Sequence, residues 1–117
     1  MKNMIVSDLY GALQPYLEQT PEWQLFVLVD NNTDTKCMPI LSEFIGKRYY
    51  HKIVIEAGEQ NKCLSTVEDI WGALISHGAT REALLVNLGG GMVTDIGGFA
   101  AATYMRGIRF VNIPTTL

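Results

Sequence analysis

The stretch Leu88-Gly89-Gly90-Gly91-Met92-Val93-Thr94-Asp95 sets three consecutive glycines between an apolar run, Ala83–Leu88, and a segment of small and apolar residues. The run reads as a strand and the segment as a buried helix. Glycine lets the backbone turn tightly there and lets another group come close to it. The same turn presents the free N–H groups of a helix N-terminus and the positive end of the helix dipole. That combination holds a phosphate or a similar anion, so the chain is expected to bind a nucleotide-like group. Six of the eleven glycines lie between Gly89 and Gly107. Close strand–helix packing is the competing explanation for them. It suits Gly97 and Gly98 best, because glycine inside a helix costs stability and something must approach closely to justify it.

Further candidates are polar residues at or near strand ends. Asp30 follows an apolar run, and its carboxylate can accept two ribose hydroxyls or close an Asx turn. Glu59 and Lys62 stand three apart in the loop Gly58-Glu59-Gln60-Asn61-Lys62, where a solvated surface pair is the alternative. Asp95, near the start of the glycine-rich helix, either helps the helix dipole or bonds a hydroxyl or amide. Arg106 and Arg109 flank Gly107; one can grip an anionic substrate in a guanidinium fork, or both close a turn. His51 and His77 lie on a strand start and a helix end and are read as structural.

The elements that position these groups alternate regularly. Met4–Val6 reads as a short strand or arm. Ser7-Asp8 can cap a helix carrying Leu9, Leu13, Tyr16 and Leu17 on one face, with Pro15 breaking or kinking it. A buried strand over Gln24–Val29 ends in Asp30-Asn31-Asn32. A helix over Thr35–Phe44 carries Pro39 near its first turn and Gly46 past its end. A strand over Tyr50–Ile55 leads to the polar loop. Ser65-Thr66-Val67-Glu68 reads as a capping box opening a helix with Leu64, Val67, Ile70, Trp71, Leu74 and Ile75 on one stripe, stopped by Gly78. The glycine-rich helix runs to Tyr104, and Ile108–Ile113 is the last strand. Apolar strands alternating with helices predict a Rossmann-like, doubly wound, mostly parallel α/β sheet with helices on both faces. In such a sheet the carboxyl ends of the strands form the binding edge. Asp30-Asn31-Asn32, the Gly58–Lys62 loop, Gly89-Gly90-Gly91 and Pro114-Thr115-Thr116 converge there.

At 117 residues, 48% hydrophobic and 18% charged, the chain has the size and balance of one globular domain. Its net charge of -3 argues against general nucleic-acid binding. No apolar run approaches the ~18 residues of a membrane span, and the N-terminus lacks a signal-peptide pattern. Cys37 and Cys63 make no metal spacing and read as free thiols, which fits a cytoplasmic protein. The buried run Arg109–Pro114 is followed by only three residues, which suggests a fragment of a longer protein.

The segment Gly89–Asp95, followed by Gly98-Phe99-Ala100-Ala101-Ala102-Thr103-Tyr104-Met105-Arg106-Gly107-Ile108-Arg109-Phe110 and by Pro114-Thr115-Thr116-Leu117, resembles 3-dehydroquinate synthase. Gly58–Lys62 and the Asp30-x-Asn32 element strengthen the resemblance. Thr94 departs from it, standing where the family usually has glycine.

The resemblance implies that residues 1–117 form the NAD-binding N-terminal domain of a two-domain enzyme. That enzyme is a lyase of the shikimate pathway of aromatic amino-acid biosynthesis. It converts 3-deoxy-D-arabino-heptulosonate 7-phosphate to 3-dehydroquinate and phosphate, with NAD used catalytically. It further implies cofactor contacts from Asp30, Asn32, Glu59, Lys62, Gly90, Gly91, Met92, Asp95, Thr115 and Thr116. Arg106 would bind substrate in the site of a homodimer partner. The divalent metal, zinc or cobalt, would take its ligands from a second domain, so this chain alone would carry no complete catalytic set. A related sugar-phosphate cyclase or metal-dependent polyol dehydrogenase stays open, as does a non-catalytic nucleotide-binding module.

Overall fold

A computed structural model describes the backbone from Val6 to Thr115 and the side chains from Gly11 onward. Four strands form one sheet: β1 (Leu25–Asp30), β2 (His51–Ile55), β3 (Leu84–Gly89) and β4 (Arg109–Pro114). All three pairings are parallel, and the order is β2-β1-β3-β4. β1 and β3 are buried along their whole length, whereas β2 and β4, on the two edges, alternate between buried and exposed positions. Central strands covered on both faces must be apolar throughout, and their sequences are near-continuous aliphatic runs for that reason.

Among the described residues five α-helices cover the sheet: α1 (Val6–Glu18), α2 (Asn31–Lys36), α3 (Met38–Ile45), α4 (Leu64–Ser76) and α5 (Gly91–Thr103). Leu13 and Leu17 of α1 and Met38, Leu41 and Ile45 of α3 pack with Val27, Val29, Val86 and Leu88 on one face. Val67, Ile70 and Leu74 of α4 and Val93, Ile96 and Ala100 of α5 pack with Phe26, Leu28, Ile53 and Leu85 on the other.

Several local expectations are corrected. Helix α1 runs through Pro15 without ending there. Arg48 holds its C-terminal end, donating to the carbonyls of Leu17, Thr20 and Pro21 at 2.6–2.9 Å. The helix expected over Thr35–Phe44 is two helices. Asp30 caps α2 from the end of β1, and the chain breaks at Cys37 so that Pro39 falls in the first turn of α3. The Ser65 capping box does not form. Cys63 is the N-cap of α4, and Ser65 and Glu68 lie inside the helix. Leu64 and Ile75, assigned to the buried stripe, are exposed, at 62% and 66%. Both flank the true buried positions by a fraction of a turn. The Met4–Ile5 arm lies outside the described residues, and Val6 belongs to α1.

Candidate functional site: the carboxyl edge of the sheet

The register brings four strand ends into one row. Asp30 stands beside Ile55, and Gly89 beside Pro114. The β1–β3 register, continued two residues past Leu28↔Asn87, sets Asp30 level with Gly89. The strand order reverses between β1 and β3, where a doubly wound sheet opens a crevice. The first βα turn on one side carries Asp30, and the glycine turn lies on the other.

The three glycines differ in what they do. A Cβ on Gly89 would press into Val93 at 2.8 Å, so packing requires that glycine. A Cβ on Gly90 or Gly91 would meet nothing within 4 Å. Gly90 is the N-cap of α5, extended at φ -81 and ψ -165, a conformation open to any residue. It supplies no side-chain cap. The N–H groups of Gly91, Met92 and Val93 precede the first residue bonded within the helix, Thr94, whose N–H reaches the Gly90 carbonyl at 3.0 Å. Thr94 fits this turn: its hydroxyl donates to the carbonyls of Gly90 and Gly91 at 3.2 Å each. A turn with free donors, and bare of side chains where the fold allows them, fits a pyrophosphate.

Asp30 is mostly committed to the chain itself. Its Oδ1 accepts from the N–H groups of Asn32 and Thr33, both at 2.8 Å, while the Asp30 N–H donates to Thr33 Oγ1 at 2.9 Å. This reciprocal capping box is the Asx-turn alternative realised, and Oδ2 stays outside the network. Asn32 is exposed beside it. Asn31 ties this turn to the loop after β2, its Oδ1 accepting from the Ala57 N–H at 2.7 Å.

That loop contains a short 3₁₀ turn, Glu59–Asn61, after Gly58 at φ 113. Lys62 does not settle into an ion pair with Glu59. Its Nζ donates to Asp95 Oδ2 at 2.9 Å, bridging the loop to α5. Asp95 is the fifth residue of α5 and so lies in the second turn rather than the first. The hydrogen bond to Asp95, the charge on Asp95 and then the charge on Glu59 raise the Lys62 pKa above its ordinary value. Beneath the bridge, Cys63, Leu64, Val67, Ile96 and Phe99 complete an open groove of 380 Å³. Sequence reasoning passed over Cys63 as an ordinary free thiol. Hydrogen bonds from Ser65 and then Thr66 bring its pKa down to about 7.

Thr115 closes the row. Its N–H donates to the Gly89 carbonyl at 3.0 Å. Its hydroxyl is sealed from solvent and makes no well-formed hydrogen bond; it approaches the Cys37 thiol, whose pKa burial raises above the ordinary value while Thr115 works the other way. Thr116 lies outside the described residues.

Arg106 is not part of this edge. It follows α5, whose thirteen residues span about 20 Å, and it sits at the amino edge of the sheet. The guanidinium is exposed and has no hydrogen bond or ion pair to a described residue. Met105, Arg106 and Gly107 follow one another at φ 48, 70 and 108. Arg109 is structural, donating to Gln19, Thr20 and the Glu82 carbonyl at 3.1–3.4 Å. His51 and His77, distant in sequence, stack with ring centroids 4.5 Å apart, over Phe26 and beside Tyr49. Among the described residues no three His, Cys, Asp or Glu side chains are grouped to hold a metal, and no helix is long and apolar enough to cross a membrane.

The family model for 3-dehydroquinate synthase N-terminal matches residues 52–117, more than half of the chain. The chain belongs to that family. It is 48% identical over 116 residues to 3-dehydroquinate synthase of Parabacteroides distasonis, covering 99% of this chain and 33% of that protein. It is 40% identical over 117 residues to 3-dehydroquinate synthase of Pyrococcus abyssi, covering 100% of this chain and 35% of that one. The chain thus spans about a third of the length of the curated relatives it matches. Among solved structures it resembles 2-deoxy-scyllo-inosose synthase, complexed with carbaglucose-6-phosphate, NAD+ and Co2+. The TM-score is 0.76 at 26% identity, over 93% of this chain and 29% of that one. It also resembles 2-epi-5-epi-valiolone synthase of Streptomyces hygroscopicus subsp. jinggangensis 5008, with NAD+ and Zn2+ bound. There the TM-score is 0.74 at 29% identity, over 98% of this chain and 30% of that one. The Rossmann-like fold read from the sequence is the fold of these cyclases.

Proposed function

We propose that residues 1–117 are the NAD-binding domain of a 3-dehydroquinate synthase. The observation that carries this reading is the bareness of Gly90 and Gly91. Neither packing nor backbone conformation demands glycine at either position, yet both flank the free N–H groups of α5. A pyrophosphate accounts for both.

In this reading the N–H groups of Gly91, Met92 and Val93 hold the pyrophosphate. Asp30 Oδ2 and Asn32 meet one ribose, Glu59 and Lys62 meet groups along the loop, and Asp95 and Thr115–Thr116 lie toward the nicotinamide half. When bound, NAD supplies reversible hydride transfer at a ring alcohol of the sugar phosphate. The domain's own work is to bind and orient that cofactor beside a substrate site completed by a second, metal-binding domain. In this reading Arg106, about a helix length away from the cofactor edge, serves the substrate site of another copy in a homodimer. The sugar-phosphate substrate, the zinc or cobalt ion, the dimer and the cytoplasmic setting come with this reading.

The test is NAD titration of the parent and of Gly91→Val in a complete synthase carrying this domain. A folded variant that loses most NAD affinity supports the reading. A folded variant with parental affinity overturns it, because the glycines would then serve the fold alone.

A further inference from the structure

Asn87 is a polar side chain in the middle of a leucine-rich strand. It is fully buried, on the same face as Leu85, Phe26 and Leu28. Its Nδ2 donates to Asn112 Oδ1 on β4 at 3.1 Å, and its Oδ1 has no hydrogen-bond partner. That oxygen faces Gly97 of α5. A Cβ added there would overlap the Asn87 amide, with Oδ1 nearest and Nδ2 at 2.8 Å. Two unfavourable choices therefore meet at one contact: an unsatisfied buried oxygen and a glycine inside a helix. Leucine on the strand with a packing partner on the helix would avoid both. By contrast, a Cβ on the next residue, Gly98, would come no nearer than 3.4 Å to the Phe110 ring, which is ordinary contact.

We propose that Asn87, braced by Asn112, is a positioning residue that sets how deep α5 sits on the sheet, and through it where the N–H groups of Gly91, Met92 and Val93 stand. Gly97 lies six residues, about 9 Å of helix, from Gly91, and an α-helix transmits a change of depth or tilt over that distance. Farther along, the Trp71 indole N–H holds the Ala100 carbonyl at 3.2 Å, so α5 is anchored beyond the contact, and Val93 packed on Gly89 is the other point that sets its glycine end. The functional part of this inference rests on the cofactor reading, but the geometric part does not.

Four forms of the chain test it: the parent, Asn87→Ala, Gly97→Ala and the double variant. Each is followed by thermal melting and by the backbone amide resonances of Gly91, Met92 and Val93. Gly97→Ala should melt well below the parent, and adding Asn87→Ala should restore part of the loss by making room for the new methyl. The Gly91–Val93 amides should move in each single variant and return toward parental positions in the double. If Gly97→Ala does not fold, Asn87→Ala and the double variant carry the same reading. Melting losses that add, or amide changes confined to the neighbourhood of residues 87, 97 and 112, would overturn the proposal. NAD titration of Gly91→Val in a complete synthase judges the cofactor reading separately: moved amides in the chain together with parental NAD affinity of that variant sink the cofactor reading and leave the positioning role of Asn87 standing.

Discussion

Lys62 Nζ lies 2.9 Å from Asp95 Oδ2, so two residues that sequence resemblance assigns to the cofactor satisfy each other across 33 positions of chain. The pair links the loop after β2 to the helix that carries the glycine turn. Both side chains are well exposed, at 44% and 60%, so the link contributes little to stability. Asp95→Asn should leave the melting temperature near the parental value. The Lys62 ammonium, released from its partner, should titrate at a lower pH, visible by NMR at the lysine side chain. The folded pKa of Lys62 is raised, so its contribution is present below the ordinary value of 10.5 and is lost only as pH rises through the folded value. A melting temperature lowered by many degrees, or a Lys62 titration that Asp95→Asn leaves unmoved, would contradict the assignment.

His51, stacked on His77 at the amino edge, contributes a pH dependence on the acid side. Burial, and then the neighbouring His77, hold His51 below its ordinary pKa of 6.5, against a hydrogen bond to the Trp23 backbone that works the other way. The unfolded chain therefore binds this proton more readily than the folded one. The His51 contribution is present above pH 6.5 and is lost as pH falls from there through the folded value. His51→Gln should flatten that part of the stability–pH curve. Melting curves across the acid range check it, and a parental slope in the variant would remove His51 as the cause.

The two thiols should separate in reactivity. Cys63 is exposed, with a pKa of about 7, while burial pushes the Cys37 thiol up. The thiolate is the nucleophile, so iodoacetamide should label Cys63 first, at a rate that rises through about pH 7, and spare Cys37 in the folded chain. Ser65→Ala should shift the rate profile to higher pH, since the Ser65 hydrogen bond is the largest cause of the lowered value. Peptide mapping after brief labelling reads both outcomes.

The two arginines should separate as well. Arg109→Ala removes hydrogen bonds that join the α1–β1 connection to β3 and β4, at a cost of about 1 kcal/mol. Arg106→Gly removes no such bond and relieves a left-handed backbone position, φ 70, so it should raise stability by about 1 kcal/mol. In a complete synthase, Arg106→Ala should raise the substrate KM by roughly ten- to hundredfold, the loss of one charge-assisted contact, with NAD affinity unchanged. Steady-state kinetics and melting curves decide it. An unchanged KM with a lowered melting temperature would leave Arg106 a turn residue.

The sequence by itself determined the alternation of elements, the parallel sheet and the glycine turn. Each of those is a local pattern: aliphatic runs for strands buried on both faces, helical stripes between them, and a glycine triplet where β3 meets α5. It also placed Asp30, the Gly58–Lys62 loop and Thr115 on one edge, because carboxyl ends of parallel strands must share an edge. The tertiary structure decided what lies between elements. Lys62 turning to Asp95, His51 stacking on His77, and Arg48 holding the end of α1 join residues far apart in the chain, and no local pattern signals them. Nor could the sequence divide the glycines: Gly89 and Gly97 are fixed by Val93 and Asn87, while Gly90 and Gly91 face open space. Whether a glycine serves the fold or leaves room for a ligand depends on what stands opposite its missing side chain.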